Sequence, residues 1–152
     1  MLCIWGHHNN RQIFLPVCIL PISAVQPFSV TPPPIQTQFN VFNALVDTGA
    51  TTTCITPAVA TKVGLTPIGK TQISGVSGPS THNNYVFHLA FVFMNSSKSG
   101  LVSSGELNIY VNPIQGPELI LQGAAFDVLL GMDVIGTGSL AVEGNGTYSF
   151  SF

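Results

Sequence analysis

The sequence Ala44-Leu45-Val46-Asp47-Thr48-Gly49-Ala50 places a carboxyl group directly after three apolar residues. The apolar run predicts a buried β-strand, and the glycine predicts that the chain turns immediately after it. Burial penalises an ionised carboxylate, so Asp47 needs hydrogen bonds, a second carboxyl group that shares a proton with it, or both. An Asp-x-Gly sequence also occurs where an aspartate merely hydrogen-bonds to its own turn. The segment therefore indicates either a catalytic carboxylate or a structural turn.

The composition is that of one small, weakly charged domain. The chain has 152 residues, of which six are Asp or Glu and four are Lys or Arg, with a formal net charge of −2. The cations are scattered singly, at Arg11, Lys62, Lys70 and Lys98. Because nucleic-acid binding needs clustered cations, we expect no nucleic-acid partner. No run approaches the ~20 apolar residues of a membrane-spanning helix, so we expect no membrane span.

Short β-branched and aromatic runs separated by Gly, Pro, Asn and Ser predict an all-β domain with tight turns. Strands are predicted at residues 36–41, 44–46, 51–55, 106–111, 118–121 and 126–130, with a turn at Phe42-Asn43 and a polar loop at 95–105. One short helix is expected to begin at Pro57, after Thr56 as N-cap, and to end at Gly64.

Two hairpins are predicted besides these strands. The first joins residues 70–76 to residues 85–93, and its tip is Gly75-Val76-Ser77-Gly78-Pro79. The second turns at Gly144-Asn145-Gly146 and ends in an alternating strand. That strand places Tyr148, Phe150 and Phe152 on one face, as a half-buried strand requires.

The N-terminal residues 1–30 match no motif, and we expect them to form an extension or a strand ahead of a main domain at 31–152. Residues 13–20 predict a β-strand. A short secretory signal within residues 1–24 is the alternative, but Pro16 and Pro21 interrupt the apolar run and Arg11 is the only cation before it. We therefore expect a cytoplasmic protein, secreted or periplasmic if residues 1–24 are a signal peptide.

A second motif lies downstream, where Val128-Leu129-Leu130-Gly131-Met132-Asp133-Val134-Ile135 predicts an apolar strand that runs into a short helix. Together with Ala44-Leu45-Val46-Asp47-Thr48-Gly49-Ala50-Thr51, it resembles the retropepsin-type aspartic peptidases, the single-domain family that includes retroviral proteases and bacterial relatives. The Leu-Leu-Gly-Met-Asp sequence is more similar to that of the bacterial members than to that of the viral ones. The resemblance implies an all-β, closed-barrel-like fold with a flap hairpin and one or two short helices.

The resemblance also implies a role for each matching residue. Asp47 would be the catalytic aspartate, Thr48 would hydrogen-bond across to a partner's turn, and Gly49 would let the backbone approach the carboxylate. Gly131 would pack beside that turn. The substrate-binding residues would be Ala50 and the residues of the flap tip, Gly75, Val76, Ser77 and Gly78. Neither a metal nor a cofactor is expected.

The count of aspartates predicts a homodimer. Peptide hydrolysis of this class needs two carboxylates that share one proton, one polarising a water and the other donating to the carbonyl oxygen. Neither Asp127 nor Asp133 is followed by Thr-Gly or Ser-Gly, and 152 residues are too few for two copies of the domain. The second carboxylate would then be Asp47 of a second chain. We expect the C-terminal hairpin, together with the strand at residues 13–20, to form the interface; the alternative is that the last strand packs on its own core.

The remaining candidate residues favour structural roles. Asp133 is expected to cap or salt-bridge the short helix. His7 and His8 with Cys3 are not expected to bind a metal, because adjacent residues on a strand point apart. His82 and His88 are expected to face solvent on the hairpin arm. The cysteines are odd in number and widely spaced, so we expect reduced, packed thiols at Cys3, Cys18 and Cys54.

Three functions remain open from the sequence. The first is a homodimeric aspartic endopeptidase acting on an extended peptide or protein substrate. The second is a catalytically silent, retropepsin-like module for dimerisation or peptide binding. The third is a structural β-domain of a larger assembly, which the low charge and the many Gly and Ser residues would suit.

Overall fold

The computed structural model describes residues 3–24, 40–75, 77–93, 106–109 and 112–152. β-strands dominate and the two α-helices are short, as the sequence predicts. The elements are β1 (Cys3–His7), β2 (Phe14–Pro21), a 3-10 turn (Ile22–Ala24), β3 (Val41–Val46), β4 (Cys54–Ile55), α1 (Pro57–Val63), β5 (Gly69–Gly75), β6 (Gly78–Phe93), β7 (Glu106–Ile109), β8 (Ile114–Pro117), β9 (Val128–Leu130), α2 (Met132–Ile135), β10 (Ser139–Val142) and β11 (Thr147–Ser151). The predicted boundary at residues 30–31, Val76 and the loop at 95–105 lie outside the described residues.

The larger sheet has eight strands arranged around the long strand β6. Its hydrogen-bonded order is β4-β9-β3-β2-β6-β5, and β7 and β8 pair with further parts of β6. Among the strands that the structure describes, β3 and β9 are the one parallel pair. Within the described part of the chain, β4 and β5 end this order without pairing with each other, so the predicted closed barrel is wrong. A barrel requires its two edge strands to meet, and a two-residue β4 offers too short an edge for that.

The strand predicted at residues 13–20 is present as β2, in the interior of the larger sheet. It pairs with β3 on one edge and with β6 on the other. Leu15, Val17 and Ile19 are at most 2% exposed. Residues 14–18 of β2 pair with β3 and residues 17–21 pair with β6, so β2 lies inside the sheet of its own chain.

The smaller sheet has three antiparallel strands in the order β1-β11-β10. The predicted alternation in β11 is present, since Tyr148 and Phe150 are buried while Thr147, Ser149 and Ser151 are only partly so. Phe150 lies edge-on to Phe91 of β6, with ring centroids 5.7 Å apart. The inner face of this sheet therefore joins the same apolar core as the larger sheet.

The helix ends are close to those predicted. Thr56 precedes Pro57 at the start of α1, although its side chain makes no capping hydrogen bond, and Gly64 ends the helix with a φ of 77°. A positive φ of this size favours glycine, and the Gly64 N–H bonds back to the carbonyls of Ala60 and Thr61. Hence the short helix is confirmed, and α2 is a second one.

Two strand boundaries differ from the prediction near the Asp47 segment. Phe42 and Asn43 do not form a turn but belong to one continuous strand, β3. The Asn43 N–H donates to Asp127 Oδ2 at 3.0 Å and the Asn43 carbonyl accepts from the Asp127 N–H, which keeps this backbone extended. The strand predicted at 51–55 is reduced to β4, because residues 51 and 52 bend toward α2.

Three further predictions concern a strand, two histidines and membrane-spanning helices. The strand predicted at 118–121 is wrong: the strand in this region is β8, which ends at Pro117, and Glu118 forms only an isolated bridge with Ile55. The histidines on β6 do not face solvent: His82 and His88 are both less than 9% exposed, because β6 has neighbouring strands along most of its length. None of the helices in the described residues has the length and apolar character needed to cross a membrane.

Candidate active site

Asp47 lies at the end of β3, in the position that its sequence predicts. The parallel pairing with β9 extends one residue beyond the strand, since the Asp47 N–H donates to the Leu130 carbonyl at 3.0 Å. Ala44, three residues earlier, is fully buried, whereas Asp47 is only half-buried. The strand thus carries a carboxyl group from the apolar core to the surface.

The backbone after Asp47 turns so that it faces the carboxylate. The Gly49 N–H donates to Asp47 Oδ1 at 2.9 Å, and the Ala50 N–H donates to the Asp47 carbonyl at 3.2 Å. A Cβ atom on Gly49 would lie 3.2 Å from Asp47 Oδ1, which is tighter than an ordinary contact. Glycine here permits the close approach of the main chain to the carboxylate.

The other residues predicted for the site lie on the surface. Thr48 and Gly49 are exposed, and Ala50 is half-buried beside them, with its carbonyl accepting the Met132 N–H at 2.8 Å. Gly75, Ser77 and Gly78 lie at the tip of the β5–β6 hairpin, where Gly75 pairs with Gly78. Gly78 has a φ of 102°, a conformation that side chains avoid. The hairpin is therefore present, but β5 pairs with residues 78–84 and not with the predicted arm at 85–93, which pairs with β2, β7 and β8. The tip residue Val76 is outside the described residues.

Two glycines enclose the segment that follows the Asp47 turn. A Cβ on Gly131 would lie 2.6–2.9 Å from the backbone of Thr52, and a Cβ on Gly116 would lie 2.1 Å from the Thr53 carbonyl oxygen. Real side chains do not approach backbone atoms so closely. The placement of Gly131 agrees with the expectation that it packs beside the turn. The role of Gly116 was missed by the sequence analysis, which singled out no residue between 112 and 117.

Asp133 bonds to the same segment through Thr53. Its carboxylate accepts the Thr53 N–H at 3.0 Å and the Thr53 hydroxyl at 2.7 Å. It also accepts the Val134 N–H, but the N-cap of α2 is Gly131 and has no side-chain capping bond. Asp133 therefore does not cap the helix as expected, but fastens it to the segment after Asp47. The buried Thr53 carried no sequence signal for this role.

Glu118 is a further buried carboxyl group that the sequence analysis did not select. Its Oε1 accepts the Asn83 N–H at 3.1 Å and its Oε2 accepts the Tyr85 hydroxyl at 3.4 Å. Burial, and then the negative charge of Glu118, raise the pKa of Tyr85 above its ordinary value. Leu119 beside it donates its N–H to the Ile55 carbonyl. Glu118 thus ties the base of the hairpin to the segment that leads back to β4.

The cysteine thiols contribute no reactive group close to Asp47. Burial raises the pKa of Cys18 to about 11, and burial together with the negative charge of Asp133 raises that of Cys54 to about 11. Cys3 is exposed, and all three thiols are free. Among the described residues, no cluster of three or more His, Cys, Asp or Glu side chains is arranged to hold a metal ion.

The partners of Asp47 differ from those of the other carboxylates around the site. Asp127 bonds to the Asn43 N–H within β3, and Asp133 and Glu118 bond to Thr53 and to the hairpin base. Asp47 instead accepts the Gly49 N–H of its own turn, in which Thr48 and Gly49 are exposed.

Comparison with known proteins identifies the fold and the family. The chain is similar to a retropepsin-like aspartic protease from Rickettsia conorii, with a TM-score of 0.54 and 13% sequence identity over 97% of this chain and 89% of that one. Among curated proteins, none matches. The model of the aspartyl protease family matches residues 38–134, which include both the Asp47 turn and the Gly131 motif. The all-β retropepsin-like fold is thus confirmed, and the chain belongs to the aspartyl protease family.

Proposed function

We propose that this protein is an aspartic endopeptidase that works as a homodimer. The observation that carries the proposal is the Asp47 turn, in which the Gly49 N–H holds one carboxylate oxygen while Thr48 remains exposed. The family membership supports proteolysis as the activity. The lack of a second such turn in the sequence supports an active site shared by two chains.

In this mechanism the two Asp47 carboxylates share one proton across a twofold axis. The ionised carboxylate polarises a water as a general base, and the protonated one donates to the carbonyl oxygen of the scissile peptide bond. Gly49 orients the carboxylate within each chain, and Thr48 meets the turn of the other chain. The tip of the β5–β6 hairpin closes over an extended peptide, and Ala50 lines the floor beneath it.

Substitution of Asp47 tests this proposal. Wild type, Asp47→Asn and Asp127→Asn are compared in the cleavage of a peptide library at several pH values. Asp127 is the matched control, because its carboxylate also accepts a backbone N–H but bonds to Asn43, four residues before Asp47. We expect acid-favoured cleavage that Asp47→Asn abolishes and Asp127→Asn retains. Unchanged cleavage by Asp47→Asn would refute the proposal.

Dilution tests the shared site separately. If each chain supplies one carboxylate, specific activity falls once the protein is diluted below its dimer dissociation constant, and sedimentation shows the dimer at higher concentration. Activity that stays proportional to concentration through complete dissociation would exclude a shared site. A folded dimer that binds peptides and hydrolyses none would favour a catalytically silent binding module instead.

A further inference from the structure

A hydrogen-bond network lies next to the Asp47 turn and joins the exposed residue Asp133 to the buried residue Thr53. Three donors converge on the Asp133 carboxylate: the Thr53 N–H, the Thr53 hydroxyl and the Val134 N–H, at 2.7–3.0 Å. Thr53 has no exposed surface. Because water does not reach Thr53, its polar groups depend on these bonds.

The network continues from Thr53 to the strand that holds Asp47. The Thr53 hydroxyl accepts the Gly131 N–H at 3.1 Å while it donates to Asp133, so both of its functions are used. Gly131 follows Leu130, whose carbonyl accepts the Asp47 N–H. The network is therefore one residue away from the hydrogen bond that positions the backbone of Asp47.

Main-chain bonds fasten the same two segments together. The Met132 N–H donates to the Ala50 carbonyl at 2.8 Å, and the Asp133 N–H donates to the Thr51 carbonyl at 3.2 Å. Ala50, Thr51 and Thr53 are thus hydrogen-bonded to residues of α2. Thr52, between them, packs against Gly131. Movement of α2 would displace the loop that begins at Asp47.

The arrangement of the three donors favours a carboxylate at position 133. All three reach Oδ1, and the Thr53 N–H also reaches Oδ2 at 3.0 Å. An asparagine amide offers one oxygen and an NH2 group that only donates. In Asp133→Asn, either orientation of the amide would place the NH2 group against the buried Thr53 N–H, donor facing donor, although the side chain keeps its size.

We propose that Asp133 is a positioning residue that acts through Thr53 to hold the Asp47 turn in its catalytic geometry. Its kinetic consequence rests on the proposed peptidase function, while its structural consequence does not. Small displacements of a catalytic group cost large factors in rate, up to about 100-fold for 1 Å. Loss of the network would therefore lower kcat more than it raises KM.

The test compares kcat for each active site, counted by titration with a tight-binding peptide transition-state analogue. The variants are Asp133→Asn, Thr53→Val, which removes the hydroxyl at nearly constant volume, and Thr53→Ser, which retains it. Asp127→Asn is the control for loss of a carboxylate elsewhere. We expect kcat per site to fall about 10-fold or more in the first two, with KM within about 3-fold, and to be retained in Thr53→Ser and Asp127→Asn.

A double variant and a readout independent of activity complete the experiment. Because Asp133 and Thr53 act as one unit, Asp133→Asn with Thr53→Val should be no slower than the slower single variant. Amide hydrogen exchange of residues 48–53 should quicken in Asp133→Asn and Thr53→Val, and not in Asp127→Asn.

Each outcome has a defined meaning. The same kcat per site in Thr53→Val as in Asp127→Asn, or unchanged exchange at residues 48–53, would overturn the positioning role. If Asp133→Asn does not fold, the comparison of Thr53→Val with Thr53→Ser decides. If wild type shows no cleavage that depends on Asp47, the peptidase proposal fails, and hydrogen exchange alone decides whether Asp133 holds the turn.

Discussion

Replacement of Gly131 by alanine should destabilise the protein at the point where β9 meets the Asp47 loop. The new methyl carbon would lie 2.6 Å from the carbonyl carbon of Thr52, and 2.8 and 2.9 Å from its oxygen and nitrogen. These are backbone atoms of a segment fastened by Thr53 and Asp133, so they cannot rotate away. The methyl and the Thr52 backbone must separate by roughly 0.8 Å to reach an ordinary contact of 3.4 Å.

The size of the effect follows from two opposing contributions. Overpacking of this kind costs about 1–3 kcal/mol, and the rigid surroundings favour the upper half of that range. The φ of Gly131 is −94°, which alanine adopts without strain, so the substitution also stabilises by about 0.4–1 kcal/mol through the unfolded state. We expect a net loss of about 1–2.6 kcal/mol, which corresponds to a fall in Tm of roughly 2–10 °C for a chain of this length.

Thermal unfolding monitored by circular dichroism measures this change, with wild type and variant at equal protein concentration because association shifts Tm. Gly144→Ala is the control: no atom lies within 4 Å of the added methyl, and its φ is not positive. We expect the Tm of the control to equal or slightly exceed that of wild type. A Gly131→Ala protein that melts within about 1 °C of wild type would refute the close packing inferred for this site.

Four further predictions concern the core, the hairpin base, the reactivity of the thiols and their effect on the pH dependence of stability. Leu15 on β2 is 1% exposed, and Leu15→Ala should lower the free energy of unfolding, measured in urea, by about 2–5 kcal/mol. Leu121 is 52% exposed, and Leu121→Ala should lower it much less. Equal losses in the two variants would contradict the assignment of Leu15 to the core. Glu118→Gln should lower the free energy of unfolding by about 1–3 kcal/mol in the same assay, since an amide cannot accept both hydrogen bonds of Glu118. An unchanged free energy of unfolding would show that the carboxylate is not needed there. At pH 8, a thiol reagent should label Cys3 in the folded protein and all three cysteines in denaturant, because the pKa values of Cys18 and Cys54 are raised to about 11; rapid labelling of either buried thiol in the folded state would contradict this. The same two thiols ionise more easily in the unfolded chain, because their pKa values in the folded protein are raised from 9.0 to about 11. Their ionisation therefore leaves the free energy of unfolding unchanged below pH 9 and lowers it as the pH rises from 9 toward 11. In a Cys18→Ala, Cys54→Ala double variant, the free energy of unfolding should fall less steeply over this pH range.

Local sequence patterns were sufficient for the elements that short-range physics controls. Pro57 and Gly64 mark the ends of α1 because proline suits the first turn of a helix and glycine suits a left-handed end. The alternation in β11 follows from the period of a strand, and the hairpin of β5 and β6 follows from its glycine-rich tip. These features depend on neighbours in sequence.

The patterns failed where distant segments decided the conformation. Asn43 suggested a turn, but bonds to Asp127 keep it in a strand, and residues 51–52 suggested a strand, but α2 bends them away. His82 was expected at the surface, yet it is buried, and its Nε2 lies 2.5 Å from Ser80 Oγ. In each case the partner is far away in the sequence or the burial depends on the whole sheet.

The sequence by itself determined the family-like motifs, the all-β class and the place of Asp47 at the end of an apolar strand, because strand period, turn residues and burial cost act over a few residues. Only the tertiary structure showed that the sheet stays open, that β2 is an internal strand, and that Thr53, Gly116 and Asp133 surround the loop after Asp47. Those facts rest on contacts between segments about 80 residues apart, as between Thr53 and Asp133. No local pattern encodes which donor meets which acceptor across that distance.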